Sequence, residues 1–546
     1  MNPRSAPYLA FSCLLITLLT SSALLQSIGF LINIPLVRYA LPIAFLPCLW
    51  LTYGYFFAPS PRNIIVGVAL SVILTALGIS SAQVLDLSVD GMAYQQPAVN
   101  AILHGWNPLD GNSTHIYHNS FPFGVWAMEA SLAALYGSAE SGKALQVWWL
   151  FIVLPVLLAG LRAHFAAPLQ PCHYLIALLA ILNPVVIGQL TTFYVDGLIY
   201  LEGLTFIGAL LMFGTAQSHR KLPHLFMALA IFSLISTKLS GAYWSVVLCM
   251  GAIAYSYHQQ RQHTIKLAAF LLLCGTVCIC IICYHPYITN LLTYDSVMPL
   301  DYKTLEDSLR PANFTPLGGI ERFFYSIFSV ADGSTNSPAV QKWPWTMTTL
   351  EWQKAAPDFR SGGFGPLFAL GLLLSALLAC ICHAYTYGAK RSLSRPQKAI
   401  LWLILPIAIF SIAFPESWWA RFVPLFYAAP FLLLLTIASG GKRTQWGIYA
   451  ACLIFAANSA ITIKSNYSRQ NVAQRAFYRV IDKLHERGKT EVYLVPKAGK
   501  WHYIFNLSHL IIMRRLQENG IKSSLQVDAP CPNHATTWIN SRICYE

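Results

Sequence analysis

The sequence predicts an α-helical polytopic membrane protein of about thirteen transmembrane helices with a small α/β unit at its C-terminus. Three observations carry this. Only 11% of the 546 residues are charged and 56% are hydrophobic, whereas a soluble domain carries about 25% charged residues. So few charges cannot cover a soluble surface of this size, and the hydrophobic content excludes intrinsic disorder. Mean hydropathy is +0.52. Thirteen stretches are apolar over lengths near the ~20 residues that a helix needs to cross a bilayer, at 8–32, 39–57, 63–82, 143–162, 172–190, 196–214, 222–236, 240–257, 265–285, 364–383, 398–414, 420–439 and 444–463. The first is no cleavable signal, since it lacks a small-residue cleavage site and further spans follow at once.

Sidedness follows from Lys and Arg in the short loops. With the N-terminus and Arg4 inside, the inner loops carry Arg62, Arg162, Arg220, Lys221, Arg261, Lys266, Lys390, Arg391, Arg395, Lys398, Lys442 and Arg443, and no Asp or Glu. The stretch 63–142 contains no Lys or Arg. This predicts an N-in, C-out protein. It also explains the net charge of +14 without a nucleic-acid partner. The chain divides into a membrane module, 1–463, with large outer loops at 83–142 and 286–363, and an outer tail, 464–546. In the tail, 468–487 reads as an amphipathic helix, Glu491–Val495 as a strand, His502–Glu518 as a helix and Ser523–Val527 as a strand.

Of thirteen cysteines, eleven lie in or beside apolar spans. Cys274, Cys278, Cys280 and Cys283 wrap around one lipid-embedded helix, so they read as small apolar residues rather than metal ligands. Cys531 and Cys544 are the two in the outer tail, where an oxidising compartment would join them as a disulfide.

Ionisable residues in or beside spans are costly and mark candidate sites. Asp86 and Asp90 follow the third span. Asp196 opens the sixth in TTFYVDG, with Glu202 deeper. Lys238 lies in the turn TKLSG, and Glu416 and Arg421 in PESWWAR. All are predicted at one depth, the outer surface. In the first outer loop, 92–104 reads as a surface helix, HGWNPL as a turn and 123–136 as a second helix. His115 and His118, in HIYH, read as solvated histidines or as metal or sugar contacts. Trp106, Trp343, Trp345, Trp418 and Trp419 read as an aromatic belt or as sugar-stacking surfaces.

The order Asp after a span, interfacial helix, GWNP turn, YP-like dipeptide and second interfacial helix resembles the first outer loop of GT-C glycosyltransferases. The likeness is closest to bacterial relatives of the protein-mannosyltransferase and aminoarabinose-transferase type. NPVVIGQLTTFYVDG, TKLSG, PYITNLLTYDSVMPL, GGFGPLF and PESWWARFVP extend the likeness over most of residues 80–440. The sequence departs from the pattern in its two extra N-terminal spans, and in Phe123 of FPFG, where many relatives carry a phosphate-contacting lysine.

The resemblance implies an inner-membrane enzyme that moves a sugar, with inversion, from a polyprenyl-phosphate donor to a glycan, lipid or protein acceptor. Asp90 matches the carboxylate that acts at the acceptor, where it would take the proton of the attacking hydroxyl. Arg421, whose fork can bind two phosphate oxygens, and then Lys238 suit the leaving phosphate. Asp196, Glu416, Trp106, His115 and His118 would support the site. Asp86 would cap the interfacial helix or, with Asp90, hold a divalent metal (Mg or Mn). The alternatives are a lipid-linked glycan transporter or flippase, and a surface-polysaccharide polymerase or ligase. The first is disfavoured by the lack of internal repeats or a broken helix pair. The second is disfavoured by the few cations in 286–363 before Lys354, namely Lys303, Arg310, Arg322 and Lys342.

Overall fold

A computed structural model describes residues 6–110, 113, 115–165, 168–213, 221–297, 309–334, 337–353, 358–388, 392–496, 507–526, 531, 533–538 and 541–545. Arg4, Arg220, Lys303, Lys354, Lys390, Arg391, Val527 and the start of the predicted helix at His502 lie outside these residues.

The protein is an α-helical membrane protein. Among the described residues, eight helices are long and apolar enough to cross a bilayer, one of them the composite Leu239–Ile282, and four shorter apolar helices accompany them. Every apolar stretch identified in the sequence is mostly helical among the described residues. Starts are set by local chemistry. Proline, whose missing N–H costs nothing in the first turn, begins Pro7–Leu31, Pro61–Ala82 and Pro171–Ile181. Ser60 caps one helix by accepting from the Asn63 N–H, and Ser394 and Gln397 form a capping box on Arg395–Ala413.

Boundaries differ from the prediction at several places, two of them beside the charged residues. The stretch 172–190 breaks into Pro171–Ile181 and Pro184–Gln189 at Asn183-Pro184. Pro184 has no N–H to continue the ladder, and Asn183 caps the second piece while donating to the Pro424 carbonyl. The predicted surface helix 92–104 is a π turn, Gly91–Gln95, followed by Gln96–Leu103, and most of it is buried.

The last helix, Lys442–Glu486, runs 45 residues without a break, joining the predicted last span to the predicted amphipathic helix. After it come β1 (Glu491–Pro496), the helix Ser508–Glu518, β2 (Lys522–Leu525), β3 (Asn533–Trp538) and β4 (Ser541–Tyr545), in one sheet of order β2-β1-β4-β3. β1 and β2 are parallel, with Glu491 opposite Lys522, as a helical crossover requires; β4 runs antiparallel to β1 and β3. One apolar cluster unites Phe477, Ile481 and Leu484 of the last helix, Leu494, Ile512 and Ile543 of the tail, and Leu85 and Met92 of the loop after Pro61–Ala82. The tail is therefore packed onto the segment that carries Asp86 and Asp90.

Candidate functional site

Six charged groups from distant parts of the chain meet at one end of the bundle. Arg421 donates through Nη1 to Asp90 Oδ2 at 2.9 Å and to Asp358 Oδ2 at 3.4 Å, and its Nε lies 4.0 Å from Asp196 Oδ2. Arg360 pairs with Asp358 at 3.5 Å. Lys238 donates to Asp196 Oδ1 at 2.7 Å. Three carboxylates face three cations, so the formal charges cancel, the arrangement that makes burial of charge tolerable. Aromatic rings wall the cluster: the Arg421 guanidinium lies 4.3 Å from the Trp419 ring and 5.2 Å from that of Tyr194, and Lys238 lies 5.0 Å from that of Phe422. Asp90 is the most open carboxylate, 23% exposed against 10% for Asp358 and 1% for Asp196.

Backbone geometry explains the convergence. Asp86, fully buried, accepts from the N–H of Ser88 and from that of Phe193, each at 2.8 Å, which staples the loop after Pro61–Ala82 to the TTFYVDG loop. Asp90 then lies against Tyr194, whose hydroxyl accepts its N–H at 3.4 Å. Gly91 is needed here, because a Cβ would lie 1.9 Å from Asp86 Oδ2. Lys238 is the single extended residue between the helices Lys221–Thr237 and Leu239–Gln260. Gly241 permits that tight turn, since a Cβ there would meet the Leu234 carbonyl at 1.9 Å. Thr237 donates to the buried Glu202 at 2.8 Å. Asp196 is steadied by Gln189, which also accepts the Gly197 N–H.

A second charged cluster holds the same loop at Asp86. Arg515 of the tail helix, 1% exposed, donates to Glu140 Oε1 at 2.6 Å and to the Asp86 carbonyl at 2.8 Å, while Lys143 and Arg514 also pair with Glu140. The Leu507 N–H donates to the Ala93 carbonyl. Burial, the largest influence, pushes the Asp86 carboxyl up, aided by Glu140. Burial and then Asp90 and Asp358 push the Tyr194 phenol well up.

The remaining candidates sit elsewhere. Glu416 is buried, its carbonyl accepting from the Trp419 N–H, and the ion pairs of the cluster do not include it. His118 is buried with both nitrogens engaged: Nε2–H donates to the Tyr94 carbonyl and Nδ1 accepts from Ser113. Burial pushes it down to about 4, so it is a neutral strut of the loop. His115 packs against Tyr94, Tyr117 and His118, and Trp106 against His118. Trp418 and Trp419 are buried, not belt residues, while Trp343 and Trp345 are exposed and stacked on each other. The donor chemistry does not suit a divalent cation held by Asp86 and Asp90. The oxygens of Asp86 serve backbone N–H groups and Asp90 serves Arg421; among the described residues no group of three or more His, Cys, Asp or Glu is placed to hold one. Cys531 and Cys544 are joined by a disulfide, their Cα atoms 5.5 Å apart.

Sequence reading passed over Asp358, Arg360, Tyr194 and the Glu140–Arg515 pair. The D-x-R spacing of Asp358 and Arg360 just before a glycine pair was the available signal for two of them. In comparisons with known proteins, no family model, no curated protein and no solved structure matches the chain.

Proposed function

We propose that the protein is a membrane glycosyltransferase that moves a sugar from a polyprenyl-phosphate donor to an acceptor hydroxyl with inversion. The observation that carries this reading is the convergence of Asp90, Asp196 and Asp358 with Arg421, Arg360 and Lys238 at one end of a helix bundle, with Asp90 the most open carboxylate. This is the chemistry a lipid-phosphate leaving group requires: a base for the acceptor and cations for the departing phosphate. The resemblance of the 83–142 loop to GT-C enzymes points the same way.

In this mechanism the acceptor oxygen attacks the anomeric carbon as its proton passes to Asp90, and the sugar–phosphate C–O bond breaks on the opposite face. The bonding electrons leave with the polyprenyl phosphate, whose charge Arg421 and Lys238 offset. Asp90 is held by Arg421, so a phosphate that draws the guanidinium toward itself releases the base. Donor arrival and base activation are then coupled. In this reading the chain crosses the bacterial inner membrane thirteen times, N-terminus inside, with the charge cluster and tail outside. A cluster at one end suits transfer at a surface better than transport through a midplane site.

The test is release of polyprenyl phosphate by the purified protein from a panel of polyprenyl-phosphate sugars with acceptor present. Asp90→Asn should lower release by about 10²–10⁴-fold, the usual contribution of a general base, while the protein still inserts. Release at the wild-type rate would remove Asp90 from the base role. No release from any donor, with movement of lipid-linked glycan across proteoliposomes instead, would favour the transporter.

A further inference from the structure

Nearly every buried or half-buried cation at this end of the bundle is matched by a carboxylate. Arg421 meets Asp90, Asp358 and Asp196; Arg360 meets Asp358; Lys238 meets Asp196; Lys143, Arg514 and Arg515 meet Glu140. Arg469 is the exception. Among the described residues it makes no ion pair, its one hydrogen bond runs from Nη2 to Asn466 Oδ1 at 3.3 Å, and its Nε is buried without a partner. Asp86 and Tyr194 lie close enough to act on it electrostatically, but both Asp86 oxygens are taken by backbone N–H groups. Arg421 lies beside the same Tyr194 ring. Arg469 is also firmly placed. Its neighbours Asn466 and Gln470 donate to the Ile187 and Leu85 carbonyls, fixing this face of the helix Lys442–Glu486 against the helix Pro184–Gln189 and the loop that carries Asp86 and Asp90.

We infer that Arg469 is the primary anchor for the anionic phosphate of a prenyl-chain lipid, an assignment that rests on the donor class proposed above. Arg421 begins committed to three carboxylates, so a phosphate that draws on it competes with Asp90, Asp358 and Asp196. Arg469 has donors to spare and gives up nothing. An incoming phosphate therefore meets Arg469 first, beside Tyr194, and engages Arg421 second. A guanidinium suits this role because its planar donors can hold two phosphate oxygens at once.

The experiment measures binding of farnesyl phosphate to the full-length protein in nanodiscs, with farnesol, inorganic phosphate and phosphatidylglycerol as comparisons. Wild type should prefer farnesyl phosphate to farnesol. Arg469→Gln should cut that preference about tenfold to a hundredfold, the scale of a lost charge-assisted contact, with farnesol binding unchanged. Arg469→Lys should keep part of it. On wild type, farnesyl phosphate but not farnesol should protect Arg469 from phenylglyoxal, which needs no variant to fold. A folded Arg469→Gln that keeps the full preference, or an Arg469 left unprotected, would overturn the anchor and leave the transferase reading standing. A wild type that does not tell phosphate from alcohol would overturn both. Equal binding of phosphatidylglycerol would make this a general anionic-lipid site, and equal binding of inorganic phosphate a free-phosphate site; either overturns the assignment to a prenyl donor.

Discussion

At the residue scale, His118 shows how burial turns a candidate ligand into a pH-sensitive strut. Its Nε2–H serves the Tyr94 carbonyl, four residues after Asp90, and burial holds its protonation near 4 rather than its ordinary 6.5. Between those values the unfolded chain binds a proton that the folded one refuses, so stability must fall as pH drops from 6.5 and the loss is complete below about 4. A shift of this size corresponds to about 3 kcal/mol. Asp86 works in the opposite sense, because its raised carboxyl binds its proton more readily when folded. We predict that thermal melting of the purified protein drops more steeply between pH 7 and 4.5 in wild type than in His118→Gln, which keeps a donor for Tyr94 but has no proton to gain. Equal slopes would remove His118 as the cause. In the sequence, HIYH advertised two histidines but not their burial. Asp90, Asp196, Lys238 and Arg421 were legible because charge beside an apolar span is expensive enough to mean something on its own. Asp358, Arg360 and Arg469 were not, because they lie where charge is ordinary, in a long polar loop and on an amphipathic helix.

At the scale of elements, helices were legible and their joints less so. Twenty apolar residues leave a bilayer segment little choice but helix, which is why each apolar stretch holds one. The break at Asn183-Pro184 needed the proline to be weighed against the run around it. In the tail, β1 and β2 follow from local sequence, whereas β3 and β4 form an antiparallel pair whose sequence is dominated by polar and turn-forming residues and becomes strand only by pairing onto β1. The contact that matters most, Arg515 on Glu140 and on the Asp86 carbonyl, joins residues 375 and 429 positions apart and no local pattern reports it. It makes the tail a brace for the loop that carries Asp90. Arg515→Met keeps the length of the side chain and removes the charge, leaving Glu140 with Lys143, Arg514 and the Asp86 N–H. Breaking a buried pair costs about 3–5 kcal/mol, and the remaining partners place this case near the lower figure. The melting temperature should fall, and proteolysis should release the tail before the membrane module is cut. A variant that melts with wild type and keeps its tail would show that the brace is packing rather than charge.

At the scale of the whole molecule, the contacts constrain the topology independently of the basic loops. Asp90, Asp196, Lys238 and Arg421 touch through shared partners, so the chain must cross the membrane an even number of times between each and the next. That holds if the short pieces Pro171–Gln189 and Lys221–Thr237 each complete a crossing with their longer neighbours Ala144–Phe165 and Asp196–Phe213. It also holds if Leu239–Ile282 crosses twice before Phe368–Gly388 and Arg395–Ala413. The same parity returns the tail to the side of Asp86, where Arg515 meets it, only if Pro424–Ile437 crosses before Lys442–Glu486. Charge sorting then predicts the side: Lys and Arg crowd the opposite loops, the pattern expected of cytoplasmic ones. We therefore predict that a reporter fused after Glu546 is active outside the cytoplasmic membrane and one fused after Lys390 is active inside. The disulfide bears on the same question, because Cys531–Cys544 closes a loop worth about 3 kcal/mol in the chain-entropy model and would persist in an oxidising compartment but not in the cytoplasm. Thiol labelling of the unreduced, unfolded protein should spare both residues. Reporters in the reverse arrangement, with both thiols labelled, would put the charge cluster on the cytoplasmic face, where an acceptor outside the cell could not reach Asp90.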